Sequence, residues 1–347
     1  MLKGAPVNAD LSEQFRAFAV PECRETSPLY CCLTEAIAAD AEVLEIASQA
    51  RDGQPVPNLL FAAVQYLLVA NPAHPLAEYY ATCTAEPKDP SDAFPLFKDF
   101  VLAHLIEIIE LLQTRLVQTN EVRRCACLYP AFMYALRHFA PQPLALLEIG
   151  CSAGLNLLWD RYRYAYNESG KIYGDRESPT LITSVFLGKP SAGLEDSLPY
   201  VTHRIGVDLH PIDVSVPAEV NWLRALIWPE QHERRQLLEA AIRQQQGIEL
   251  DLRTGDGFAD ICSFAAEIPT DSLLCIFHTH VANQISLEQG NAFLETIREL
   301  ARQRDLLHLY NNLPDAHLRL QVFHKGILTR QILANTDGHG RWLEWLV

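Results

Sequence analysis

The feature that most constrains this chain is a change of texture near Pro143. From there on, short apolar runs alternate with helical stretches: "LALLEIG" (144–150), "HRIGVDL" (203–209), "IELDLRTGD" (248–256), "SLLCIFHTH" (272–280) and "LLHLYNNL" (306–313). The stretch 229–246, entered after Pro229 and stopped at Gly247, is the clearest helix between them. Such alternation demands a mostly parallel sheet, because parallel strands need crossover connections, and helices supply them while covering both faces. The tail "LRLQVFHKGILTRQIL" followed by "RWLEWLV" reads as closing strands, an antiparallel pair among them. The expected fold is α/β, a doubly wound mostly parallel sheet preceded by an all-helical N-terminal domain.

The first 140 residues carry helical signals. Asp10-x-x-Glu13 reads as a capping box for the first helix. Ser27-Pro28 gives an N-cap with proline at the first helical position, opening a long helix to about Ala50. Between 97 and 116, apolar residues recur at three- and four-residue steps and form one helix face. The run "LLFAAVQYLLVA" (59–70) is too short to span a bilayer and carries Gln65, so it predicts a buried helix. Domains are therefore expected at 1–120 and 121–347, with an insert at about 164–202 that forms its own hairpin or lid.

Composition excludes some functions. A formal charge of −15 over 347 residues opposes binding to a phosphate backbone. The nine cysteines are scattered without a C-x-x-C pair, which disfavours a zinc knuckle and fits buried free thiols in a reducing cytoplasm. The N-terminus "MLKGAPVNADLSEQ" lacks the apolar core of a secretory signal. The expected setting is cytoplasmic, with no membrane or nucleic-acid partner and no metal; the oligomeric state is left open.

The stretch "LLEIGCSAGLNLLWDRYR" (146–163) poses the functional question. As Glu-x-Gly-x-x-x-Gly, its turn cradles a nucleotide-like cofactor: Gly150 and Gly154 permit a tight turn and close approach. As G-x-S-x-G, it presents Ser152 as a hydrolase nucleophile, with Asp256 or Asp337 and His339 to complete a triad. The hydrolase architecture requires several strands and an oxyanion loop before the elbow, whereas the upstream residues read as helices. An NAD-type G-x-G-x-x-G is opposed by Ser152 and Leu155. The second strand ends at Asp208, where a ribose-binding acid belongs, and the third at Gly255-Asp256, with Phe258 suited to stack on an adenine.

Glycines after strand one with acids after strands two and three resemble the S-adenosylmethionine-dependent methyltransferases built on a Rossmann-like sheet. The resemblance implies that Glu148 lies near the methionine end of S-adenosylmethionine, that Asp208 takes the ribose hydroxyls and that Asp256 takes the adenine. It implies Gly150, Ser152, Gly154 and Phe258 as further cofactor contacts, Ser152 standing where that class often has glycine. Nearly the whole chain also resembles a bacterial family catalogued as domain of unknown function 2332. The carriers are "FRAFAVPECRETSPLY" (15–30), "PNLLFAAVQYLLV" (57–69), "QTNEVRRCACLYPA" (118–131), "RIGVDLHPIDV" (204–214) and "WLRALIWPEQHERRQLLEAA" (222–241), with the glycine-turn segment.

Groups for chemistry belong at the carboxyl end of such a sheet. The candidates are His278, His280 and Asn311, with Asn120, Glu121, Arg123 and Tyr310 lining a substrate pocket. His278 and His280 alternate on a strand end, so only one is expected to face a substrate. The dull alternatives are capping by Thr119 or Asn120, packing by Trp159, Tyr162 and Tyr164, a solvated or locally paired Asp160, and Cys151 as a small turn filler. No D/N-P-P-Y/F or Pro-Cys motif follows strand four, which disfavours DNA-base methylation. The expected activity is methyl transfer to a small molecule, with a non-catalytic ligand sensor second and a serine hydrolase third.

Overall fold

The computed structural model describes residues 7–18, 26–167, 169–188, 194 and 197–347. Helices α1 (Val7–Phe18), α2 (Pro28–Ala38), α3 (Ala41–Ala47), α4 (Val56–Ala70), α5 (Ala93–Ala103), α6 (Leu105–Thr114) and α7 (Cys125–Leu136) precede strand β1 (Leu144–Ile149). Strands β2 (Arg163–Tyr166), β3 (Ile172–Gly174), β4 (Leu181–Leu187) and β5 (Val201–Asp208) follow, then α8 (Pro217–Ala225) and α9 (His232–Gln245). The remainder runs β6 (Asp251–Thr254), α10 (Ile261–Ala266), β7 (Leu273–His278), α11 (Leu287–Leu300) and β8 (Leu306–Tyr310). It closes with β9 (Leu318–His324), β10 (Ile327–Thr336) and β11 (Trp342–Trp345).

Contacts divide the chain into two compact units, residues 1–119 with 215–235, and residues 120–214 with 236–347. In the first, α4 is the central element. Leu59, Leu60, Phe61, Val64 and Leu68 are buried, and Tyr30 stacks on Phe61 at 4.1 Å. The buried Gln65 amide donates to the carbonyls of Ala225 and Ile227, which satisfies a polar group that would otherwise be costly inside this core. Sequence periodicity misplaces several boundaries here. The long helix expected from Ser27 breaks, because Asp40 accepts from the N–H groups of Glu42 and Val43 and caps a new helix. The face expected at 97–116 is split at His104, whose backbone leaves the helical region. Asp10 lies inside the first turn of α1 and is not its cap.

The second unit is a mixed α/β structure with a large, mostly parallel sheet in the order β3-β2-β4-β11-β10-β9-β8-β7-β1-β5-β6. From β1 the chain builds outward through β5 to β6, then returns to the other side of β1 with β7 and β8, all parallel. Strands β9 and β10 are antiparallel, as the tail pattern predicts. The insert supplies β2 and β3 as an antiparallel pair, and β4 joins this pair to β11. Ala145, Leu147, Ile149, Leu274 and Ile276 pack beneath Ile261, Phe293 and Ile297 of α10 and α11. On the opposite face Phe132 of α7 meets Phe277 edge-on and stacks on Trp159 at 4.5 Å.

Trp159, Tyr162 and Tyr164 are fully buried, in agreement with a packing role. Asp160 is not solvated: it makes a bidentate pair with Arg204 of β5 at 2.6 and 2.7 Å, both side chains 4% exposed. Removing one member strands a buried charge, so Asp160→Asn and Arg204→Met should each lower stability by about 3–5 kcal/mol. An apolar double replacement of similar volume should recover much of that loss in urea denaturation.

Candidate functional site

β1 lies between β5 and β7, so the strand order changes direction there, and in open α/β sheets ligands bind outside the carboxyl ends of the strands at such a switch point. The turn after β1 is built there. Gly150 and Gly154 have φ of +71° and Ser152 of 51°, all in the left-handed region. A Cβ on Gly150 would stand 2.7 Å from Val281, and one on Gly154 the same distance from Leu252, so neither position admits a side chain. The helix that follows is a seven-residue 3-10 segment, Leu155–Arg161, with a kink at Leu158. Its Leu155 N–H is taken by Asn120 Oδ1 at 3.0 Å. Asn120 thus closes the turn from outside, where local capping was the sequence alternative.

The Asp208 carboxylate accepts from Ser152 N–H at 2.9 Å and His210 N–H at 3.0 Å, binding the turn to the loop after β5. Glu148 is 1% exposed. Asn156 Nδ2 donates to its Oε1 at 3.3 Å, while Oε2 is buried without a partner. Burial pushes the Glu148 carboxyl well above the usual range; Asn156 opposes this, Asp208 adds to it and Arg124 opposes it. Cys151 is buried, and its thiol is pushed well up by burial and by the carboxyls of Glu148 and Asp208, which suits a filler and not a nucleophile. Asp256 is exposed, and its Oδ1 accepts from the N–H groups of Phe258 and Ala259.

The two histidines at the end of β7, His278 within it and His280 just beyond, separate cleanly. His278 is fully buried beneath α11, among Phe258, Phe293, His308 and Tyr310. Neither ring nitrogen of His278 or of His308 has a hydrogen-bond partner. Tyr310 belongs to this same layer, stacked on His308 at 4.2 Å, with its hydroxyl accepting from Gln321 at 3.3 Å. His280 is only half-buried and left-handed, with φ of 57°. Its N–H donates to the buried Asn311 Oδ1 at 2.9 Å, and its Nδ1 lies 3.3 Å from Asn312 Nδ2. Burial and then the charge of Arg124 hold it neutral, pushed down to about 4.

A further pair had no local signal. Glu121 Oε2 lies 3.0 Å from His339 Nδ1, across 218 residues of sequence. Asp337 binds Arg341 and the His339 N–H, so the Asp337–His339 half of a serine triad is not formed. Arg123 offers its backbone to the same turn, with Gly340 packed against its carbonyl. Among the described residues no group of three or more metal-binding side chains occurs, and no helix is long and apolar enough to cross a membrane. The eight described cysteines are free thiols, and Cys23 lies outside the described residues.

The sequence matches, over residues 12–345, the family described as an uncharacterised protein conserved in bacteria, DUF2332. The chain belongs to that family. No curated protein and no solved structure matches it. For this DUF2332 member, the arrangement at the sheet's carboxyl end is therefore what bears on function.

Two pH effects follow. Burial depresses His278 and His308, the latter to about 3 from an ordinary 6.5. The contribution of His308 to stability is complete above pH 6.5 and is lost as the pH falls toward 3, at up to about 1.4 kcal/mol per pH unit, and that of His278 is lost in the same direction. Replacing both with leucine should flatten that part of the acid limb in denaturant titrations. Glu148 is raised, so its contribution is present below its ordinary 4.5 and lost as pH rises. Glu148→Gln should raise the unfolding free energy at pH 7, with the gain shrinking toward pH 4.5.

Proposed function

We propose that the second unit is a Rossmann-like domain of the methyltransferase type that binds S-adenosylmethionine and transfers its methyl group to a small molecule, the first unit being the helical N-terminal domain. The observation that carries the reading is the left-handed turn after β1. It sits at the switch point beside a buried carboxyl with one unpartnered oxygen, with Asp208 and Asp256 at the ends of the next two strands.

The residues present fit that cofactor. Gly150, Ser152 and Gly154 offer a backbone surface free of Cβ obstruction at both glycines, and a side chain there would force Val281 or Leu252 to move. Glu148 Oε2 is a buried oxygen that gains a partner when a ligand donor arrives, which recovers the desolvation cost it bears alone. Asp208 would take the ribose hydroxyls, and its two backbone N–H bonds keep the carboxylate in place for them. Asp256 and Phe258 would hold the adenine end, joined by the bond from Phe258 N–H to Asp256. When bound, the cofactor supplies an electrophilic methyl group on a sulfonium sulfur.

The protein's share of such a reaction is positioning and proton removal. His280 is suited to touch an acceptor: it is neutral, half-buried and fixed by Asn311 and Asn312. Asn311 positions the His280 backbone, and Asn120 and Glu121 stand at the mouth on the side of α7.

Calorimetric titration with S-adenosylhomocysteine tests the reading. The folded wild type should bind, and Asp208→Asn should weaken binding by about tenfold or more, as expected for a hydrogen bond to a charged group. Gly154→Ala should weaken it as well, because its Cβ enters Leu252. Absence of binding to folded wild-type protein overturns the reading.

A further inference from the structure

Two sequence motifs, "QTNEVRR" before α7 and "TDGHGRW" between β10 and β11, meet in the fold. A Cβ on Gly340 would lie 2.5 Å from the Arg123 carbonyl oxygen, so the turn reaches this segment only as glycine. Arg124 Nε donates to Gly338 O at 2.8 Å. The His339–Glu121 contact completes the junction: the carboxylate is 3% exposed and the imidazole 48% exposed. A buried carboxylate accepting from Nδ1–H selects one tautomer and leaves Nε2 as the acceptor.

His280 is the neighbour of this pair. Its Cε1 lies 3.5 Å from where a Cβ on Gly338 would stand, and it feels the charges of Arg124, His339, Asp337 and Glu121. Asn312 Nδ2 is a donor only, so a neutral His280 accepts at Nδ1 and carries its proton on Nε2. The junction therefore sets a hydrogen-bond donor beside a base. Asp337, which accepts from the His339 N–H, is committed to Arg341.

We infer that His339, held by Glu121, is the general base for a hydroxyl-bearing acceptor, with the Nε2–H of His280 donating to the acceptor oxygen. This rests on the methyl-transfer reading. The hydroxyl proton passes to His339 Nε2, and the oxygen's electron pair forms the bond to the methyl carbon. The carbon–sulfur bond breaks with its pair remaining on sulfur, and the imidazolium later releases its proton to solvent. Glu121 is a positioning residue, acting through the ring.

Long-range proton–nitrogen NMR on the ligand-free protein reads the pair first. The His339 ring should carry its proton on Nδ1, and Glu121→Ala should return it to the Nε2–H form. Turnover is then read as S-adenosylhomocysteine released from S-adenosylmethionine with a panel of phenols, catechols and aliphatic alcohols. His339→Ala should lower turnover by about 10²–10⁴-fold. Affinity for S-adenosylhomocysteine should be unchanged, and free imidazole should restore part of the rate. Glu121→Gln, which keeps shape and removes charge, should lower kcat more than it raises KM. An Nε2–H ring in the wild type overturns the inference. So does wild-type turnover in His339→Ala, or a wild type that binds S-adenosylhomocysteine and turns over none of the panel. Failure to bind S-adenosylhomocysteine overturns the cofactor reading and this inference with it; that failure is distinguishable, because the tautomer is read without ligand.

Discussion

The Asp208 carboxylate holds the site together. It accepts from the N–H groups of Ser152 and His210, and so joins the end of β5 to the turn after β1. Ser152 occupies a left-handed conformation that a residue with a Cβ adopts only at a cost. A charge-assisted hydrogen bond to its amide offsets that cost. The turn then presents its backbone at β1, where the strand order changes direction between β7 and β5. Asn120 Oδ1 on the Leu155 N–H and the Ile212 N–H on the Ser152 carbonyl hold the same turn from its other sides.

Around that tie, the structure buries several titratable groups with polar atoms left unpartnered. Glu148 retains one unpartnered oxygen, and His278 and His308 have none of their ring nitrogens bonded. Each costs stability relative to an apolar residue. The two faces of the sheet use these groups differently. On the α7 side, Glu148 and Asn311 bond to Asn156 and to the His280 backbone. On the α11 side, His278, His308 and Tyr310 form a closed stack. That stack makes the fold sensitive to acid, and His280 remains the histidine placed for chemistry after β7.

How far the sequence carried depended on the range of each signal. Strands β1, β7 and β8 were legible because a buried parallel strand writes a short apolar run bounded by turn residues, while β6, a largely uncovered edge strand, was placed by its position before Gly255-Asp256. The start of α2 was legible, with Ser27 accepting from the Tyr30 N–H and Pro28 at the first helical position, whereas breaks inside an apolar periodicity were not. Asp40 and His104 sit inside apolar periodicities that continue through them, and the breaks come from a side-chain cap in one case and a change of backbone in the other. Glu148, Asp208 and the glycines could be placed because each is a strand-end residue, and strand ends converge on one edge of a parallel sheet. Asp160 could not be assigned to Arg204, nor Glu121 to His339, because no periodicity links residues 44 or 218 positions apart.

By itself, then, the sequence determined the α/β class, the turn after β1, the strand-end acids and membership of the DUF2332 family, all of which are written in local pattern or in long shared motifs. Tertiary structure decided the rest. It joined β2, β3 and β4 of the insert to the far end of the sheet through β11, returned residues 215–235 to the helical unit, sent His278 into the core and left His280 at the rim. It also brought Glu121 to His339. The physical reason is the same in each case. Side-chain alternation says that neighbours face opposite ways, but which face is buried depends on the helices that cover the sheet, and ion pairs form wherever the chain happens to return.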